Sequence, residues 1–200
     1  MTPIVMLLFA ILFCLISQMS CEFFDSNGRL TQVEYANKAS MNGGTIIGIR
    51  SDDVAILITW SSWTDKNVLL PKKIHRITDN IGVSSSGIVS DVNFLTDKMF
   101  EEATEHSFIF GCDPPASRLA MSLADYVHER TISARYRPLG IRTCIASYDD
   151  ISKACIHEID AIGNLHKCKL TCIGEYALLI ILLFYILLSM KERGDFSLPS

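Results

Sequence analysis

Neither charge sign dominates this chain. Its 18 basic and 22 acidic side chains are interspersed and leave a formal charge of -4. It therefore lacks the basic stripe that phosphate backbones select, and nucleic acid is not expected as a partner. No CxxC pair occurs among the seven cysteines. An odd number cannot be fully paired, which argues against a disulfide framework and for small buried thiols in a reducing compartment. Cys168 and Cys172, with His157 and His166 nearby, match none of the common zinc-ligand spacings, so no metal is expected. GxSxG, HExxH and phosphate-loop patterns are also missing beside the scattered His75, His106, His128, His157 and His166. Each of these reads as a surface or packed histidine, and no cofactor is expected.

Long apolar runs are present but confined to the ends. The 200 residues suffice for one domain with a sizeable core, and the 49% hydrophobic content is inflated by two terminal stretches. Ile4 to Ile16 is uncharged, with the length of a signal-peptide h-region and less than a membrane span needs. Against a secretory signal, no Lys or Arg precedes Arg29, and cleavage after Ser20 would place the bulky Gln18 where a small residue is preferred. Ala177 to Met190 is also uncharged. As a helix rising ~1.5 Å per residue it covers roughly 21 Å, short of the ~30 Å hydrocarbon core. Extension back to Ile173 brings in Glu175, which is costly in lipid. A core helix is the plainer alternative, and a third reading makes both ends residues carried in by an imperfect gene model. The expected organisation is an apolar segment over 1–21, a patterned domain over 22–176 and an apolar tail over 177–200.

Periodicity organises the middle. β-branched and aliphatic residues from Thr45 to Arg50 and from Val54 to Trp60 flank Ser51-Asp52-Asp53, which predicts a hairpin. Lys73 to Thr78 and Ile81 to Ser86 flank Asp79-Asn80 and predict a second. From Asp91 to Phe110 the period becomes helical, with Leu95, Met99 and Ala103 on one face. Pro114-Pro115 ends that helix, and Arg118 to Thr131 predicts another with Leu119, Leu123, Tyr126 and Val127 on one side. Ile141 to Tyr148, Ala154 to Asp160 and Cys168 to Ile173 predict further strands. Strands, two helices and strands again make an α+β layered domain.

Ahead of the first hairpin stands Gly28-Arg29-Leu30-Thr31-Gln32-Val33-Glu34-Tyr35-Ala36. The string GRLTQVEYA resembles the N-terminal signature of proteasome alpha subunits. The resemblance continues through Gly44-Thr45, Gly87-Ile88-Val89-Ser90-Asp91 and Arg137-Pro138-Leu139-Gly140, covering Phe23 to Tyr176. Thr45 to Arg50 and Tyr126-Val127-His128 look nearest the seventh alpha subtype. The resemblance implies a four-layer αββα sandwich of two antiparallel sheets, the N-terminal nucleophile hydrolase fold, incomplete here at its C-terminal end. It implies a subunit of the 20S core particle, in cytoplasm and nucleus, acting in ubiquitin-dependent degradation. The implied partners are other alpha subunits in a seven-membered ring, beta subunits and activators or the regulatory particle, with no membrane.

Composition supports the signature as a docking helix. Val33, Tyr35 and Ala36 are apolar, while Arg29, Gln32, Glu34 and Lys38 can pair across an interface. The resemblance implies that Gly28, Arg29, Leu30, Gln32, Val33, Glu34, Tyr35 and Ala36 form the interface and gate motif.

Catalysis is not expected of this chain. Catalytic relatives use an N-terminal threonine with Asp and Lys nearby. Alignment of the first strands puts Gly44 at the threonine and Trp60 at the aspartate, and shifting to Thr45 moves those partners to Ser61 and near Ile77. Lys73, or less well Lys72, matches the lysine that in the family receives an activator's C-terminal carboxylate, a pairing that suits an ammonium. A solvated strand-end lysine is the alternative. The chain departs from the family in its apolar first 20 residues, which replace a polar gate tail, and after Tyr176, where further helices and strands are expected. Asp160-Ala161-Ile162-Gly163, in place of a proline-containing turn, points to relaxed constraint.

Overall fold

The computed structural model describes residues 24–60, 72–133, 135–149 and 153–192, with side chains as far as Phe184. The run Ile4 to Ile16, the first two cysteines Cys14 and Cys21, and Ser61 lie outside the described residues. The chain divides into two compact units, Met1–Thr31 and Gln32–Ser200. In the first, a tight turn is closed by the Gly28 amide donating to the Asp25 carbonyl at 2.7 Å and the Asp25 amide to the Arg29 carbonyl at 2.9 Å.

Helix α1 (Thr31–Met41) places Glu34 in its first turn and Lys38 in its last, complementing the helix dipole at both ends. Strands β1 (Ile46–Arg50) and β2 (Ala55–Thr59) form the first expected hairpin, and β3 (Ile74–Thr78) and β4 (Ile81–Gly87) the second, with a register shift between Arg76 and Thr78. Helix α2 (Val89–Phe110) buries Leu95, Met99 and Ala103, and α3 (Ala116–Ile132) buries Leu119, Leu123 and Val127. Both show the predicted apolar stripe. Strands β5 (Ile141–Asp149) and β6 (Lys153–Ile159) follow. The single strand expected from Cys168 to Ile173 is in fact two short ones, β7 (Leu165–Cys168) and β8 (Leu170–Ile173).

That break matters, because β7 and β8 join different sheets. The larger sheet has the order β3-β4-β5-β6-β7 and the smaller β2-β1-β8. All pairings are antiparallel. Side chains alternate across each sheet, so each strand serves two layers. Ile46 and Ile173 of the smaller sheet meet Cys144, Ala146 and Ile156 of the larger between the sheets. On its other face the larger sheet presents Ile81, Val83, Ile141, Ile145 and Ile159 to α2 and α3. The result is the expected α+β sandwich of two antiparallel sheets, with one face covered by paired helices.

The apolar tail forms helix α4 (Ala177–Glu192), which packs against β8. It is not a core helix: Leu178 is 85% exposed and Leu179, Ile181, Leu182 and Leu183 remain largely accessible. Among the described residues, no helix is long and apolar enough to cross a membrane. The turn from Asp160 to Gly163 is closely hydrogen-bonded. One Asp160 carboxylate oxygen accepts the Ile162 and Asn164 amides at 2.9 and 2.8 Å, and the other accepts the Asn164 side-chain amide at 2.8 Å.

Candidate functional site

The signature residues divide between a turn and a helix. Gly28 takes a left-handed φ of 74°, which suits glycine, and Gly28, Arg29 and Leu30 precede the helix rather than belong to it. Within α1, Val33 and Ala36 are both buried at 8%. They are buried against the helix's own chain. Tyr35 is 65% exposed, and Gln32, Glu34 and Lys38 are also at the surface. The face available for docking is one aromatic ring among polar and charged groups, the chemistry of a wet interface rather than an obligate core.

A second constellation lies at the end of the first hairpin. The Trp60 amide donates to the Thr45 carbonyl at 2.8 Å, bringing the end of β2 beside the start of β1. Lys73, just before β3, reaches into this corner, where its ammonium donates to the Trp60 carbonyl at 3.4 Å. A Cβ on Gly44 would stand 2.0 Å from Lys73 Nζ and 2.9 Å from the Trp60 carbonyl oxygen. The absence of a side chain at Gly44 is what lets the lysine enter. Gly44, Trp60 and Lys73 therefore converge, whereas Lys72 is solvent-exposed.

A third cluster joins two motifs distant in sequence. Asp91, 3% exposed, lies in the first turn of α2. Its carboxylate accepts both terminal nitrogens of Arg137, one at 2.8 Å, and the Gly140 amide at 3.0 Å. Burial alone would push this carboxyl up, but the Arg137 hydrogen bonds, the Gly140 amide and the guanidinium charge together hold it below the usual range. Sequence reading placed Gly87 to Asp91 and Arg137 to Gly140 in the family pattern but missed that they touch. The available signal was an acidic residue at a helix start and an arginine beside a proline-glycine turn, which is too weak to pair without a fold.

The remaining reactive groups are quiet. Cys168 and Cys172 fall on strands of different sheets, and among the described residues no three His, Cys, Asp or Glu side chains gather as a metal-binding group. Burial, then the charge of Glu158, raise the thiol pKa of Cys144, Cys168 and Cys172, which disfavours the nucleophilic thiolate. Glu158 lies against Thr171, whose hydroxyl donates to it, with Arg142 at 3.8 Å.

A family model described as proteasome subunit matches residues 40–183. Proteasome subunit alpha type-3 of Drosophila melanogaster is 33% identical over 149 residues, covering 73% of this chain and 58% of that protein. Proteasome subunit alpha of Archaeoglobus fulgidus is 34% identical over 158 residues, 76% of this chain and 61% of its own length. The probable proteasome subunit alpha type-2 of Schizosaccharomyces pombe is 32% identical over 155 residues, 76% of this chain and 63% of its own. The chain thus spans about three fifths of the length of the curated relatives it matches. With the sandwich, the signature helix and these similarities in agreement, the chain belongs to the proteasome subunit family and is of the alpha type.

Proposed function

We propose that this chain is a non-catalytic structural subunit of the 20S proteasome alpha ring, contributing to ring assembly, substrate-entry gating and activator docking in ubiquitin-dependent protein degradation. The observation that carries the non-catalytic half is the corner at Gly44. By the alignment of first strands Gly44 stands where the nucleophilic threonine would be and Trp60 where its acidic partner would be, and Lys73 Nζ lies 2.0 Å from where a Gly44 Cβ would be. The assembly half rests on α1, whose exposed Gln32, Glu34, Tyr35 and Lys38 form the surface offered to an adjacent alpha subunit. Gly28, Arg29 and Leu30 of the same signature are the candidate gate residues. Lys73 is the candidate to receive an activator's carboxylate, with Lys72 the lesser one. Beta subunits and the regulatory particle complete the partners, in cytoplasm and nucleus.

The test is co-expression of the full chain with the other alpha and beta subunits of its source, followed by native purification of assembled particles. Stoichiometric presence in the particle is expected. Threonine-dependent peptide cleavage by this chain, or exclusion from every particle, would sink the reading. A membrane-attached derivative outside the proteasome is favoured only by the exposed leucines of α4. Carbonate extraction separates it, because an assembled subunit washes off.

A further inference from the structure

A helix that meets a neighbour must be held in one orientation before the neighbour arrives, since ordering it during association weakens binding. The C-terminal end of α1 has such a seat, made of backbone. A Cβ on Gly43 would lie 2.1 Å from the Gly87 amide nitrogen, and a Cβ on Gly87 would lie 2.1 Å from the Gly140 carbonyl oxygen. That carbonyl accepts the Ile88 amide at 3.1 Å. The Ser86 hydroxyl donates to the Ser40 carbonyl in the last turn of α1 at 3.2 Å, and a Cβ on Gly140 would stand 3.3 Å from the Ala39 Cβ. The ends of α1 and β4 and the approach to β5 thus meet closely, with the Ser86 hydroxyl and the Ile88 side chain packed into the junction, where a Gly140 Cβ would lie 2.7 Å from Ile88 Cδ1. Small displacements of one are transmitted to the others, because a close-packed junction has little free volume in which to absorb them.

From the side of α2, Asp91 fixes this junction. Asp91 holds the Gly140 amide at 3.0 Å and grips Arg137, three residues earlier, through two guanidinium nitrogens. A bidentate guanidinium–carboxylate pair fixes direction as well as distance. Asp91 itself is anchored in α2, whose Leu95 and Met99 are 1% and 0% exposed.

We propose that Asp91 is a positioning residue which, through Arg137 and Gly140, sets the seat of helix α1 and so the aim of its exposed face at a neighbouring subunit. The role rests on the assembly reading above and adds to it a residue that touches no partner. Loss of the carboxylate releases the Gly140 amide and Arg137, and the helix loses its fixed angle while the helix–sheet core remains.

The experiment compares the full chain with Asp91→Asn and the milder Arg137→Lys, which keeps the charge and loses the fork. Amide hydrogen exchange is the first readout and incorporation into co-expressed alpha-ring particles the second. In Asp91→Asn the amides from Val33 to Met41 should exchange about tenfold faster, as loss of one buried charged hydrogen bond implies, with those of β5 and β6 unchanged. Arg137→Lys should fall between, and incorporation should drop in the same order. Should Asp91→Asn not fold, the Arg137→Lys result decides. Unchanged α1 exchange, a rise shared equally by β5 and β6, or faster α1 exchange with undiminished incorporation would each overturn the proposal. If the wild-type chain itself enters no particle, the assembly reading fails and the proposal falls with it, whereas normal wild-type incorporation with an indifferent Asp91→Asn removes only the positioning role.

Discussion

The outward face of the larger sheet carries Ile81, Val83, Ile141, Ile145 and Ile159, each 3% exposed or less beneath α2 and α3. The outward face of the smaller sheet carries Ile56 and Ile58, which are 49% and 48% exposed. The two faces have the same apolar chemistry and differ in what lies against them. Helices α2 and α3 each bury one apolar stripe, Leu95, Met99 and Ala103 in the first and Leu119, Leu123 and Val127 in the second, so one orientation buries them best. Helix α4 is apolar on every side, and no single face of it is preferred. Burial therefore depends on patterning in the cover as much as on hydrophobicity in the sheet.

This contrast can be broken most forcefully from the buried side. Leu123 of α3 is 0% exposed, and Leu123→Ala should cost about 2–5 kcal/mol, because the core loses transfer energy and keeps a cavity. Urea denaturation would show it, and a loss under about 1 kcal/mol would mean the helix layer is no better packed than the open face. A smaller effect comes from Asp91. Its carboxyl is held below its ordinary 3.8, so it contributes stability that is fully present above that pH and lost as the pH falls through the depressed value. Thermal unfolding measured from pH 5 downward should show a decline that is absent in Asp91→Asn. His157 on β6 acts in a milder range. Burial first, then the charges of Lys167 and Arg50, hold its imidazole below 6.5. The folded state resists a proton that the unfolded chain accepts, so stability should be level above pH 6.5 and slip as the pH falls below it. His157→Gln should flatten that slope, and an unchanged slope would assign it to other groups.

Local pattern made much of this architecture legible, and the gaps have physical causes. Both first hairpins and both covering helices follow from alternation, helical period and the polar turns between them, signals carried by consecutive residues. The partition into two sheets does not. Lys169 between β7 and β8 marks the change of sheet, yet one lysine in a short run looks the same as a strand interrupted on one face. The orientation of α1 was half legible. Composition identified α1 as a helix, but whether Val33 and Ala36 or Tyr35 faced inward depended on what the helix packs against. The seat of α1 was illegible for a different reason: a glycine chosen for close backbone approach leaves no trace in sequence that separates it from a glycine in a turn.

The smallest expected effect tests the open face itself. Ile56 and Ile58 pair across the hairpin with Ile49 and Ile47, so their side chains share one surface with those neighbours. Replacing both with serine removes apolar area that already contacts water. At roughly 25 cal/mol per Å² only the buried half contributes, and the lost stability should stay below about 1 kcal/mol for each position. Solubility should respond more than stability, because an exposed apolar sheet face is a self-association surface. Light scattering on the purified chain should therefore fall in Ile56→Ser/Ile58→Ser while the denaturation midpoint barely moves. A large drop in the midpoint would show that this face is covered in solution, and that the two sheets are more alike than their exposures indicate.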